Sequence, residues 1–196
     1  HMDAKALIQK YNVPGPRYTS YPTVPFWKKD QLNSSEWLSE LNDAFQEFPD
    51  SSIGIYIHLP FCESLCTFCG CHKRITKNHE VESPYIDAVL KEWNLYKKHL
   101  PKDIHISELH FGGGTPTFFH PTELVRLLKG IFQTNKINPI LCDLSFEAHP
   151  NSTSELHLQT LYDFGFRRVS FGIQDYNPIV QKAIHRMQTF EEIQAV

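Results

Sequence analysis

The chain lacks what would direct it to a membrane, a nucleic acid or an oxidising compartment. No apolar run reaches the length of a membrane span, and no stretch reads as a secretory leader, so none is expected. A formal net charge of -3 over 196 residues leaves no cationic surplus for a phosphate backbone or an anionic bilayer, so neither partner is expected. Five cysteines without a leader make a poor disulfide framework and point to free thiols in a reducing cytoplasm. The glycine-rich nucleotide signatures are also missing: Gly112-Gly113-Gly114 is not GxGxxG, and no lysine follows it as in a Walker A loop. The eleven histidines are scattered singly, as surface or hydrogen-bonded core residues rather than a ligand cluster. His1-Met2 reads as an expression remnant ahead of the native start.

What is present is a soluble α/β composition, 41% hydrophobic, enough for one sizeable core or part of a larger one. Apolar runs at 53–58, 105–111, 142–147 and 167–172 read as strands, and helical periodicity fills the gaps between them. Ser83-Pro84 is expected to start a helix carrying Ile86, Val89, Leu90, Trp93 and Leu100 on one face. Pro121 leads into Leu124, Leu127, Leu128, Ile131 and Phe132, and a Ser152-x-x-Glu155 capping box into Leu158, Leu161 and Phe164, with Gly165 as the stop. A further helix is expected to be under way at Val196. Four successive βα units imply right-handed crossovers and a parallel sheet.

The polar motifs decide between a barrel wall and an open sheet. Each follows a strand: the cysteine loop the first, Gly112-Gly113-Gly114-Thr115-Pro116 the second, Glu147 the third, Gly172-Ile173-Gln174-Asp175 the fourth. A site built from the carboxyl ends of consecutive parallel strands is the arrangement of TIM-like barrels, whereas an open sheet gathers its site at one switch point. A partial TIM-like barrel of parallel strands is therefore expected.

Cys62, Cys66 and Cys69 form a CxxxCxxC array directly behind the first strand. Three such thiolates can hold three irons of a cubane and leave the fourth iron open. Structural zinc is the alternative, with Cys71 or His72 completing a tetrahedron, although the paired spacing of zinc sites is not evident. The glycine run removes three Cβ atoms from one stretch, so that backbone groups can approach a small polar ligand such as an amino-acid moiety; as a plain tight strand exit it carries no function.

The cysteine array with Phe68 before its third cysteine, the GGGTP after the next strand and the glutamate after the third resemble the radical S-adenosylmethionine superfamily. Within it, Cys69-Gly70-Cys71, the segment Val13 to Thr23 (VPGPRYTSYPT), Gln174-Asp175 and Arg186 resemble the oxygen-independent coproporphyrinogen III oxidases. The resemblance implies a 4Fe-4S cluster on Cys62, Cys66 and Cys69 whose open iron chelates S-adenosylmethionine, seated by Tyr56, Gly113 and Glu147. A second S-adenosylmethionine would meet Phe68, Gly114, Thr115, Gln174 and Arg186. Arg17, Tyr18 and Tyr21, and with them Cys71, are implied on the substrate side, where an arginine and aromatics suit a tetrapyrrole carrying carboxylates.

The implied reaction is decarboxylation of two propionates of coproporphyrinogen III to the vinyl groups of protoporphyrinogen IX, a step of haem synthesis, by a 5′-deoxyadenosyl radical. An electron donor for the cluster and an electron acceptor are required as partners. Members of the family are more than twice as long and monomeric, with a six-unit partial barrel and a C-terminal domain. The chain is thus expected to be an N-terminal fragment, inactive alone and prone to self-association: a substrate-associated segment with a short helix in 1–50, and roughly four barrel units in 51–196. Two other classes compete. A haem chaperone of the same superfamily would lack both Cys71 and the Pro-Gly-Pro-Arg-Tyr segment, and a zinc-stabilised binding module would leave four motifs at four strand ends unexplained.

Overall fold

The computed structural model describes residues 3–13, 23–27, 33–67, 69–101, 104–132 and 141–196. Two compact units divide the chain, His1–Glu40 and Leu41–Val196. The first contains α1 (Ala4–Tyr11), whose N-terminus is capped by the Asp3 side chain accepting from Lys5 N at 2.8 Å. The boundary between the units falls within α2 (Ser34–Glu47). That helix opens on a capping box in which Asn33 Oδ1 accepts from Glu36 N and Glu36 Oε2 accepts from Asn33 N.

The second unit is built on four strands, β1 (Ser52–Leu59), β4 (His105–Gly113), β5 (Asp143–Ala148) and β6 (Arg168–Phe171), paired in that order. Every pairing is parallel. Spatial order follows chain order with no reversal, so the sheet has no switch point and is the wall of a partial TIM-like barrel. The crossovers are α3 (Glu82–Tyr96), α4 (Pro121–Phe132) and α5 (Glu155–Phe164). A two-residue parallel ladder, β2 (Phe61–Cys62) with β3 (Arg74–Ile75), stands apart from the sheet.

Strand alternation sorts the side chains. Register aligns Ile57, Phe111, Phe146 and Val169 across the helix-facing side, and Tyr56, His110, Ser145 and Arg168 across the other. The first three of the apolar row are buried, with Leu59, Ile106, Leu109, Leu124, Leu127, Leu128, Ile131 and Leu161 beside them in the core. The amphipathic faces of α3 to α5 are thus covered by the sheet, and the polar row is left for the inner surface of the wall.

Three expectations need correction. The box at α5 is Ser154 with His157 rather than Ser152 with Glu155: Ser154 Oγ accepts from His157 N, and His157 Nδ1 accepts from Ser154 N at 3.2 Å. Ser152 instead belongs to a single turn at Pro150–Ser152, where its hydroxyl donates to His149 O at 3.2 Å. α3 begins at Glu82, ahead of Ser83-Pro84, and ends before Leu100. In place of one terminal helix the chain forms α6 (Pro178–Ala183) and α7 (Phe190–Gln194). Gly165 does end α5, with φ 109°. Among the described residues no helix is long and apolar enough to cross a membrane.

Candidate cluster and cofactor site

The cysteine loop is closed at its base by the β2–β3 ladder, which pairs Cys62 with Ile75. Arg74 N donates to Pro60 O at 2.8 Å and Thr76 N to Cys62 O at 2.9 Å, so the two ends of the loop are held together by main chain alone. Within it, Cys69 N donates to Cys66 O at 3.0 Å, a turn that sets the second and third thiols on one bend. Lys73 Nζ donates to Cys69 O at 3.0 Å, and Thr67 N reaches across to Ile184 O at 3.1 Å.

A carboxylate and a histidine brace the loop from outside. Glu63 Oε1 lies 3.3 Å from His79 Nε2, and His79 Nδ1 lies 2.5 Å from Glu82 Oε1. Glu82 is buried in the first turn of α3, where the positive end of the helix dipole favours its charge, and its other oxygen accepts from His120 N at 2.7 Å. Its hydrogen bond to Glu82 raises the His79 pKa, more than burial lowers it.

The exit of β4 meets this loop through glycines. Gly113 has φ 119°, a conformation that side chains rarely adopt, and its N–H donates to Glu147 Oε2 at 3.1 Å. Gly114 N donates to Leu59 O at 2.9 Å and Thr115 N to Phe61 O at 3.0 Å, pulling the glycine turn onto the cysteine loop. A Cβ on Gly114 would lie 2.5 Å from Pro60 O and 2.9 Å from Cys62 Sγ, so only glycine permits this approach. Thr115 Oγ1 is then 3.3 Å from Cys62 Sγ.

Arg186 arrives from the other end of the wall. α6 closes with Arg186 N donating to Gln181 O at 2.9 Å and His185 N to Lys182 O at 3.3 Å, while His185 takes φ 54°. This is a Schellman-type end with histidine in the left-handed position that glycine usually fills. It aims the guanidinium inward, where Nη1 donates to Cys66 Sγ at 3.3 Å and Nη2 to Gly172 O. Gln174, on the same rim, also has a left-handed backbone, φ 72°. Backbone strain of this kind persists where surrounding structure holds it, and it concentrates at functional sites.

One cavity of about 580 Å³ collects Cys62, Cys66, Cys69 and Cys71 with Gly113, Gly114, Thr115, Glu147, Gln174 and Arg186. Burial pushes the Cys62 thiol up; the Thr115 hydroxyl opposes it, the neighbouring Cys69 and Cys66 add to it, and Arg186 opposes it. Cys71 is raised by burial first, then by Cys69 and Glu147, with Lys73 opposing. Three soft sulfurs on one loop, with an N–H donor at one and a hydroxyl at another, are the donor set that iron–sulfur clusters use. Among the described residues, no three His, Cys, Asp or Glu side chains converge on a point that would hold one metal ion. The fit therefore rests on the sulfur set and the shared cavity.

Of the residues singled out from sequence, Phe68, Arg17, Tyr18 and Tyr21 lie outside the described residues. Tyr56 does not line the cysteine cavity. It lines an adjacent one on the inner face with Glu108, His110, Ser145 and Arg168, its hydroxyl 3.0 Å from His58 Nδ1 and its ring stacked on His110. Burial raises the Tyr56 pKa, and the charges of Glu147 and Cys71 raise it further. Sequence reasoning missed Lys73, His149, His185 and two buried glutamines that hydrogen-bond to each other, Gln181 and Gln188. Only His149 carried a signal, two residues beyond Glu147 at a strand exit. Its pKa is lowered to about 4 by burial and by the Arg186 charge.

The family described as the Radical SAM superfamily matches residues 56–196. Oxygen-independent coproporphyrinogen III oxidase of Helicobacter pylori strain J99 is 40% identical over 187 residues, covering 95% of this chain and 41% of the relative. The Escherichia coli K12 protein of the same name is 38% identical over 191 residues, 97% of this chain and 40% of its own length. A solved structure described as coproporphyrinogen III oxidase from Escherichia coli, a radical SAM enzyme, superposes with a TM-score of 0.82 at 33% identity, covering 96% of this chain and 41% of that one. The chain thus spans about 41% of the length of these relatives. With a family match that takes in every strand exit described above, the chain belongs to the radical SAM superfamily.

Proposed function

We propose that the chain carries the cluster and S-adenosylmethionine site of an oxygen-independent coproporphyrinogen III oxidase, a haem-synthesis enzyme that decarboxylates coproporphyrinogen III to protoporphyrinogen IX. The observation that carries this reading is the cavity in which the CxxxCxxC thiols meet Gly113 to Thr115 and Glu147 at consecutive strand ends, with Arg186 reaching in from the end of α6. Cys62, Cys66 and Cys69 would hold a 4Fe-4S cluster. When bound, the cluster and S-adenosylmethionine would supply a one-electron cleavage and removal of a hydrogen atom from a propionate β-carbon, with loss of carbon dioxide and passage of one electron to an acceptor.

The chain's own groups have distinct parts in this reading. Glu147 holds the Gly113 N–H through Oε2, and its Oε1, 3.9 Å from His110 Nε2, would accept from the amino group of a first S-adenosylmethionine, with Tyr56 at the margin. Gly114, Thr115, Gln174 and Arg186, with Phe68, would meet a second one, and the Arg186 N–H groups not engaged by Cys66 and Gly172 would serve its carboxylate. Residues 1–50, through Arg17, Tyr18 and Tyr21, would contact the tetrapyrrole, and Cys71 would face it; residues 51–196 form the radical-generating part of the barrel. A cytoplasmic electron donor and an acceptor complete the partners.

Anaerobic reconstitution with iron and sulfide, followed by EPR of the reduced protein with and without S-adenosylmethionine, tests the proposal. The expected result is a reduced 4Fe-4S signal that changes on addition of S-adenosylmethionine. Zinc as the one bound metal after iron-replete expression, or a cluster signal indifferent to S-adenosylmethionine, would overturn it.

A further inference from the structure

Two glutamines near the end of the chain are buried like core residues, Gln181 at 4% and Gln188 at 3% relative exposure. Amides at that depth are satisfied by design of the site, because an unpaired one is costly. Gln181 Nε2 donates to Asp175 O at 2.8 Å and to Gln188 O at 2.9 Å, and its oxygen accepts from Gln188 N at 3.2 Å. These bonds use the Gln188 main chain and leave its side chain for another task. Oriented to satisfy both ends, the Gln188 amide donates its nitrogen to Ile173 O at 3.1 Å and accepts from Arg186 Nε at 3.2 Å.

His149 fixes the same orientation. Its Nδ1 accepts from Asn151 N at 3.2 Å, so the neutral ring carries its proton on Nε2, 3.5 Å from the Gln188 amide. A proton donor there requires the amide oxygen at that end, the same oxygen that receives Arg186 Nε. Burial and the adjacent guanidinium keep His149 neutral. The Arg186 fork is thereby held on three sides: Gln188 at Nε, Gly172 O at Nη2 and Cys66 Sγ at Nη1.

We propose that Gln188, seated by Gln181 and His149, is a positioning residue that holds Arg186 on the Cys66 sulfur and so raises the reduction potential of the cluster. This rests on the reading that Cys62, Cys66 and Cys69 carry the cluster. An N–H donor and a positive charge at a ligand sulfur favour the more negative state that results when the cluster takes up one electron, which is how outer groups set cluster potentials.

The test has two arms on the 196-residue chain. In cluster-free protein with ¹⁵N-arginine, the Arg186 Nε–H, assigned by its loss in Arg186→Met, is expected to exchange slowly in wild type and in Gln188→Glu, which keeps the acceptor. It is expected to exchange rapidly in Gln188→Leu. Slow exchange in Gln188→Leu would overturn the positioning. In reconstituted protein titrated with dithionite and followed by EPR, Gln188→Leu is expected to lower the midpoint potential, and to have no such effect in an Arg186→Met background. An unchanged potential, or an equal shift in both backgrounds, would overturn the tuning. A wild-type chain that takes up no cluster would defeat the functional reading and the tuning with it, and the exchange arm would still decide the positioning.

Discussion

The backbone N–H of Gly113 donates to Glu147 Oε2 at 3.1 Å, tying the end of β4 to the end of β5 at the rim of the wall. Directly after this N–H the chain turns at Gly113 with φ 119°, a conformation that side chains rarely adopt. An alanine there would be strained, and its Cβ would meet the His58 ring at 2.8 Å. Gly113→Ala is expected to destabilise the fold by roughly 1–3 kcal/mol, read from urea denaturation. Unaltered stability would mean that the turn has another conformation open to it.

Gly114 obeys a different constraint. Its backbone is ordinary, but the space for a side chain is taken by Pro60 O at 2.5 Å, a main-chain atom that cannot rotate away. Gly114→Ala therefore has to push the cysteine loop off the glycine turn, at about 1–3 kcal/mol for an overpacked contact. Because Cys62 Sγ lies on the same side, iron uptake per chain after reconstitution is expected to fall as well. Full iron loading with an unchanged urea midpoint would show that the loop shifts at no cost.

How far the sequence discloses this architecture depends on the range of the forces involved. The four sheet strands and α3 to α5 were legible because each buries a whole face, leaving alternation or a helical period over many residues. β2 and β3 are two residues each, too short for any period. The box at α5 was misplaced because Ser152-x-x-Glu155 fits the usual pattern, while Pro150 draws Ser152 into a turn and the true partner at the third helical position is a histidine. The cysteines, glycines and Glu147 announced themselves by residue type. Gln181 and Gln188 did not, since a buried glutamine has the same letter as a solvated one and its burial follows from contacts made after the helix has ended.

His149 gives the fold an acid sensitivity whose sign can be worked out. Its folded pKa of about 4 lies below the ordinary histidine value of 6.5. Above 6.5 the ring is neutral in both folded and unfolded chains and contributes no pH dependence. As pH falls from there toward 4 the unfolded chain takes up a proton that the folded chain refuses, so stability drops through this window. In His149→Gln this component is absent, and the urea midpoint is expected to fall less between pH 7 and pH 5 than in wild type. Equal falls in both proteins would show that the ring titrates freely in the fold.

His185 is the last residue before Arg186 and holds φ 54° at the end of α6, where glycine would rest without strain. For a residue with a Cβ that conformation costs about 1–2 kcal/mol, offset in part by the greater chain entropy that glycine loses on folding. His185→Gly is expected to raise stability by roughly 0.5–1 kcal/mol, measured by urea denaturation at pH 8, and His185→Ala to give no gain because it keeps the Cβ. The distinction bears on the site as well as on stability. If both variants were equally stable, the left-handed turn would not be a source of strain, and the placement of Arg186 over Cys66 would depend on Gln188 and Gly172 alone.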